Sequence, residues 1–225
     1  MPELLAAAGL RADPTAIIGY PPSRGSNAAL VLGENAQIRG GTAIYGGSRI
    51  GDRFQTGHNV VIREECTIGN DVSVWSNTVV DYGCRIGNGV KIHSNCYIAQ
   101  YTDIEDDAFL APGVTIANDL YPGQEASARV MSGPSIGRGA QIGVNVTILP
   151  FVRIGASCLI GAGAVVVFDI PERSVAFGNP AVVRGQVDDL VSVERRVEAV
   201  SNSASRYRRA HRAPVTPLIS RGGDR

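Results

Sequence analysis

Aliphatic residues recur along this chain at every sixth position, not at the two-residue spacing of a strand or the 3.6 of a helix. Stepping by six from Leu32 gives Ile38, Ile44, Ile50, Thr56, Ile62, Ile68, Val74, Val80, Ile86, Ile92, Ile98, Ile104, Leu110 and Ile116, with Thr56 the one exception. Across a polar stretch the count slips by two, then resumes at Ile136, Ile142, Ile148, Ile154, Ile160 and Val166. A six-residue repeat predicts a solenoid in which each hexad forms one short side of a coil. Ile50-Gly51, Ile68-Gly69 and Ile86-Gly87 recur at 18 residues, one full turn of three sides. Residues 18 apart are therefore expected to stack as parallel cross-strand neighbours. The expected class is all-β, a parallel β-helix of about seven coils.

Other segments flank or interrupt the repeat. Met1–Asp13 reads as a short helical lead-in, Thr15–Tyr20 as a partial coil and Pro21–Ala29 as a Pro/Gly/Ser loop. Residues 1–31 thus precede the regular coils of 32–185. Residues 117–134 form one protruding loop, where a rigid solenoid carries its binding chemistry; a tolerated surface insertion is the other reading. Leu190, Val193, Val197 and Val200 share one stripe and predict a C-terminal helix over 186–200. Residues 201–225 lack periodicity and read as a flexible basic tail.

Composition refines this picture. Aromatic residues make up only 6% of the 225, as suits a narrow interior with room for Ile and Val but rarely for rings. Net charge is zero but uneven: residues 1–183 hold 12 Lys+Arg against 16 Asp+Glu, and residues 184–225 hold 9 against 5. The mildly acidic body argues against nucleic-acid binding. Arg206, Arg208, Arg209 and Arg212 in the tail offer a polyanion site or a solvated end. Neither a signal peptide nor a stretch of membrane-spanning length is visible, so a soluble, cytoplasmic protein is expected. Cys66, Cys84, Cys96 and Cys158 each lie four residues after a hexad anchor, in a register otherwise filled by small or β-branched residues. They read as reduced thiols packed inside the coil, not as disulfides or metal ligands.

The run of [Leu/Ile/Val]-Gly-x-x-[small]-x hexads, closed by Phe177-Gly178-Asn179-Pro180-Ala181, resembles the hexapeptide-repeat acyltransferases over about residues 15–185. The resemblance implies a left-handed β-helix, a hand that periodicity alone does not supply. It also implies a homotrimer, acetyl-CoA as donor, and active sites in clefts between neighbouring copies. Two finer stretches, Thr56–Glu64 and Ile104–Pro122, are similar to N-acetyltransferases acting on nucleotide-linked amino sugars. Antibiotic and galactoside acetyltransferases of this superfamily carry an Asn-His pair in the loop after this coil, where this chain has Asn118-Asp119. That departure favours an amine acceptor over a hydroxyl.

The 18-residue rule then nominates a site. Asn118 is expected over Gln100, Tyr82 and Glu64, and Asp119 over Tyr101, Gly83 and Glu65. Asp119 has two readings, proton acceptor for the amine or cap of the turn that opens the loop. His58 handles the acceptor or its proton at a subunit cleft, or simply holds a coil corner. His93 lies beside Trp75 and Ala111, as an acceptor contact or a structural stack, and His211 lies in the tail. Tyr121 shapes the wall against a sugar or base, and Arg63 is expected to make an exposed ion pair with Asp81. Resemblance nominates Gly143, Gly161, Gly163, Asn179 and Pro180 for the CoA arm, and Arg184 for a CoA phosphate. The alternative enzyme is an O-acetyltransferase using His58 or His93 as base on a sugar or small-metabolite hydroxyl. A zinc site needs converging histidines, and those of the coils lie in different columns, so no metal is expected. A non-catalytic scaffold is the last class.

Overall fold

The computed structural model describes residues 3–22, 24 and 29–190. The chain divides into two compact units, Met1–Asp188 and Asp189–Arg225, and the first contains the coil. Its strands, mostly two residues long, stack into three parallel sheets that form the three faces of a left-handed β-helix. The first face runs from Leu4–Ala6 through Arg49–Ile50 and Asp103–Ile104 to Arg153–Ile154. The second runs from Arg11–Ala12 through Lys91–Ile92 and Leu159–Ile160 to Ser174–Phe177. The third runs from Ile17–Tyr20 through Val79–Val80 and Thr115–Ile116 to Val165–Val166. Among the described residues no helix is long and apolar enough to cross a membrane.

The hexad anchors point inward and pile up as the period requires. Val80 pairs with Ile62 below and Ile98 above, and all three are 0% exposed. Burying each such side chain contributes about 1.5–3 kcal/mol. The third residue after each anchor except Ile116 and Val166 adopts positive φ, filled by Gly at 83 and 113 and by Asn at 59, 77, 95 and 145. There the chain turns the corner. The left-handed conformation is open to Gly and tolerated by Asn, and it is costly for other side chains.

The fourth residue after each anchor, Leu120 in the loop excepted, also points inward, and where it carries a hydroxyl or thiol it solves a second problem. Corner carbonyls fall outside the strand ladders, and a hydroxyl or thiol from the coil below donates to them. Thr42 reaches the Gly57 carbonyl at 3.2 Å, Ser48 that of Arg63 at 2.8 Å, and Thr78 that of His93 at 2.8 Å. Cys66, Cys84 and Cys96 do the same toward Asp81, Ala99 and Ala111 at 3.1–3.3 Å. All four cysteines are free and buried, as their register predicts. Burial pushes the Cys96 and Cys158 thiols up, so they stay protonated near neutrality. Thr56, the break in the aliphatic series, also has a structural cause. Its hydroxyl accepts the Arg39 backbone N–H at 2.9 Å where the ladder is interrupted.

Two expectations change. The lead-in is no helix: Leu4–Ala6 and Arg11–Ala12 are strands pairing in parallel with Leu30–Leu32 and Gln37–Ile38. With Ile17–Tyr20 they complete a full first coil. Ala6, Ala12 and Ile18 keep the step of six, and an open ladder edge outweighs the weak helix propensity of an Ala/Leu segment. At the other end, Val182–Gln186 folds back antiparallel on Ser174–Phe177, and Val187–Asp189 is a single 3-10 turn. Leu190 lies in a bend, and residues 191–200 of the expected helix, the basic tail and His211 lie outside the described residues.

Candidate active site at two corners of the coil

The loop leaves the coil at the corner between the third and first faces, just after Thr115–Ile116. Its return is stitched to the coil: the Ser132 N–H donates to the Asn118 carbonyl at 3.0 Å and the Gly133 N–H to that of Gln100 at 3.1 Å. At its tip sits a short helix, Glu125–Ala128. Asp119 holds the loop closed. Its Oδ1 accepts the Tyr121 backbone N–H at 3.0 Å and the Ser127 hydroxyl. Turn capping is therefore what the geometry gives Asp119 through one oxygen; its other oxygen has no partner among the described residues.

The stacking rule holds in this column. The Asn118 amide donates to Gln100 Oε1 at 2.6 Å, and Gln100 Nε2 donates to Asp81 Oδ2 at 2.7 Å. Asp81 also accepts the Tyr97 hydroxyl at 2.9 Å and the Tyr82 backbone N–H at 2.8 Å. Burial, then Asp81, pushes the Tyr97 phenol up to about 12. Tyr101 packs edge-on against Tyr82, with ring centroids 5.4 Å apart, and lies directly over Gly83.

Arg63 behaves differently from the expectation. Its main partner is Glu64, at 2.8 and 3.0 Å, while Asp81 lies 3.7 Å away. The Glu64 side chain is only 1% exposed, so this pair is not an exposed one. Burial raises the Glu64 carboxyl, but the Arg63 hydrogen bonds, a backbone hydrogen bond and the charges of Arg63 and Arg24 together outweigh it and hold the group below its usual range. Glu64, which the 18-residue rule places in the column of Asn118 and so nominates as an acceptor contact, is buried under Arg63, whose guanidinium is the more exposed of the two. Arg63 also stands 5.0 Å from the Tyr45 ring, and Arg24 lies 4.3 Å over Tyr82. The sequence reading missed Arg24 and Tyr45, and named Asp81 and Gln100 only as neighbours of Arg63 and Asn118. The 18-residue spacing signals Gln100 under Asn118 and both Tyr45 and Asp81 on either side of Arg63, whereas Arg24 lies outside the repeat.

Beneath the loop is a cavity of about 240 Å³ lined by Asn118, Leu120, Tyr121, Val130, Met131 and Phe151. Phe151 and Tyr101 occupy the column of Asp119 on either side of the loop, and both have positive φ, +63° and +59°. Bulky aromatic residues are rare in that conformation, and such strain gathers at functional sites. A second hollow, about 340 Å³, lies on the first face among Arg85, Asp103, Asp106 and Arg138. It holds none of the nominated residues.

The remaining nominated residues occupy another corner, between the second and third faces. His93 lies between Trp75 and Phe109, with ring centroids 6.4 and 4.8 Å apart. Phe109 is its upper ring contact, while the register of Ile92 with Leu110 keeps Ala111 above His93 as expected. His58 is exposed, its backbone N–H donating to Ser76 Oγ at 3.0 Å. Gly143 and Gly161 stack higher on the same corner. A Cβ at Gly143 would lie 2.6 Å from the Ala162 nitrogen, and one at Gly161 would lie 2.7 Å from Phe177 Cβ. Coil packing thus already requires both glycines. Gly163 has positive φ and open space where a Cβ would stand. Asn179 and Pro180 cap the corner, and Arg184 stands 5.7 Å from the Phe177 ring. Within one chain, then, Asn118, Asp119, Tyr101, Tyr121 and Glu64 share one edge, and both histidines and the glycines share another.

Known proteins place this coil. A family model described as bacterial transferase hexapeptide (six repeats) matches residues 47–81, 83–118 and 133–167. Serine acetyltransferase 4 of Arabidopsis thaliana is 38% identical over 92 residues, 41% of this chain and 24% of that protein. The dTDP-3-amino-3,6-dideoxy-alpha-D-galactopyranose 3-N-acetyltransferase of Aneurinibacillus thermoaerophilus is 39% identical over 75 residues, 32% of this chain and 39% of that one. The matches span between 24% and 44% of the length of these and similar curated relatives. The structure of UDP-N-acetylglucosamine acyltransferase from Campylobacter jejuni aligns over 95% of this chain and 86% of its own, with TM-score 0.53 and 20% identity, a likeness of fold. The chain belongs to the bacterial hexapeptide-repeat transferases.

Proposed function

We propose that this protein transfers acetyl from acetyl-CoA to the amino group of a nucleotide-linked amino sugar. The observation that carries the reading is the loop corner, where Asn118-Asp119 replaces the histidine that a hydroxyl acceptor would need as base. Similarity to an amino-sugar N-acetyltransferase over 75 residues supports it. In the reaction the amine nitrogen bonds to the thioester carbon, the C–S bond breaks, and the nitrogen's proton ends on the CoA sulfur. Thioesters are already activated, so the protein's task is alignment and proton handling. The free oxygen of Asp119 receives the amine proton, Asn118 orients the amine, and Tyr101 and Tyr121 flank the sugar. Arg63, supported by Glu64, and Arg24 face the anionic nucleotide.

The site is completed by a second copy in a homotrimer. Outward residues of the third face are Ile17, Ala43, Val61, Val79, Tyr97, Thr115, Thr147 and Val165, none of them charged. The first face instead presents Arg49, Arg85, Asp103 and Arg153. A threefold axis facing the third face brings the loop corner of one copy against the histidine corner of the next. His58 and His93 then line the same cleft as Asn118. Gly143, Gly161, Gly163, Asn179 and Pro180 flank the CoA arm, and Arg184 meets a CoA phosphate.

Those histidines also support the alternative, O-acetylation of a sugar or small-metabolite hydroxyl, in line with similarity to a serine acetyltransferase. A thiol-release assay with acetyl-CoA separates the two, using nucleotide-linked amino sugars and their hydroxy counterparts. Turnover with the amines alone is expected. Turnover with the hydroxy sugars, abolished by His58→Ala or His93→Ala, would replace the first reading with the second.

A further inference from the structure

We infer that Asp81 and Gln100 are positioning residues that lock the Asn118 amide in one orientation, carbonyl oxygen toward the acceptor. The role toward substrate rests on the N-acetyltransferase reading; the orientation itself rests on the hydrogen-bond chain alone.

Asp81 is 7% exposed, and everything near its carboxylate donates: the Tyr82 backbone N–H at 2.8 Å, the Tyr97 hydroxyl at 2.9 Å, Gln100 Nε2 at 2.7 Å, and Arg63 at 3.7 Å. A carboxylate can only accept. Gln100 must therefore turn its NH2 toward Asp81, which leaves Oε1 on the far side. That oxygen can only accept, so Asn118 turns its own NH2 inward, at 2.6 Å. The same Asn118 nitrogen lies 3.6 Å from the Met131 sulfur. Asn118 Oδ1 has no partner among the described residues, and Asn118 lines the cavity beneath the loop. Swapping either amide end for end would set donor against donor or acceptor against acceptor. One buried charge thus fixes the polarity of a group two side chains away.

The chemistry gives this polarity a use. An attacking amine must aim its lone pair at the thioester carbon. An N–H held by Asn118 Oδ1 turns the lone pair away from the wall, and the bond strengthens as positive charge develops on nitrogen. An Asn118 presenting NH2 instead would compete for that lone pair.

A double-mutant cycle tests the inference. Asp81→Asn keeps an acceptor for the Tyr82 N–H but offers Gln100 an NH2. Gln100 then reverses, Asn118 reverses after it, and the site presents a donor. Expected is a ten- to hundredfold fall in kcat/KM. Asn118→Asp alone places carboxylates on both sides of Gln100, with a lower Tm and similarly weak transfer. Combined, Asp81→Asn and Asn118→Asp restore both the chain and an outward acceptor oxygen, with kcat/KM at least tenfold above Asp81→Asn and a recovered Tm. An additive Tm cycle would overturn the fixed polarity. A coupled Tm cycle beside additive kcat/KM values would overturn the role toward substrate. No transfer by the native protein to any acceptor would defeat the proposed function and that role with it, while the Tm cycle still decides the amide orientation.

Discussion

The thiol of Cys84 donates to the Ala99 carbonyl at 3.2 Å, in a register where Ser48 and Thr78 make the same bond from a hydroxyl. Cys84→Ser should therefore keep the bond and cost under about 1 kcal/mol. Cys84→Ala leaves a small cavity while the Ala99 carbonyl keeps the Thr102 hydroxyl at 2.7 Å, and should cost about 1–2 kcal/mol by chemical denaturation. The reverse order would show that the position is simply apolar. Asp119 allows a similar separation, because capping and proton transfer use different oxygens. Asp119→Asn keeps an acceptor for the Tyr121 N–H and the Ser127 hydroxyl, so fold and loop should persist while kcat near neutral pH falls about ten- to a hundredfold. Asp119→Ala should also loosen the loop, measured as faster hydrogen exchange at Tyr121. Unchanged turnover in Asp119→Asn would leave Asp119 with the cap alone.

Corners, more than strands, set what this coil tolerates. Each strand is two residues of ladder, which many sequences could supply, whereas each corner demands one left-handed residue every six. Glu65 is exposed and holds φ +63°. Glu65→Asn should be neutral or raise the Tm, whereas the β-branched Glu65→Val should lose about 1–2 kcal/mol. Equal stability of the two would mean that the corner relaxes freely. By the same logic, Tyr101 and Phe151 are misplaced for stability alone, and both border the loop that carries Asn118 and Asp119. The repeat made every corner legible, but not which corner was occupied by an aromatic for a reason.

Across the whole coil, the three outward faces differ in chemistry. The uncharged third face is what a second copy would cover, and Val79 lies at its middle. Val79→Glu should reduce the assembly to monomers by light scattering while circular dichroism stays native. Acetyl transfer should fall at least a hundredfold, because each proposed site draws on two copies. A trimer that survives Val79→Glu would move the interface to another face.

The six-residue period by itself determined the architecture, because a coil whose sides are all one hexad long leaves no freedom in which residues meet. It therefore placed Ile62 under Val80 under Ile98, buried the four cysteines, and set Asn118 over Gln100. Periodicity does not encode where a long side chain points once it is outside the coil. Tertiary structure decided that Arg63 turns to the buried Glu64, that Arg24 reaches Tyr82 from a loop outside the repeat, and that Asp119 folds back on Ser127. The division of the nominated residues between two edges follows each residue's place in the 18-residue turn, but only the folded coil reveals what stands opposite.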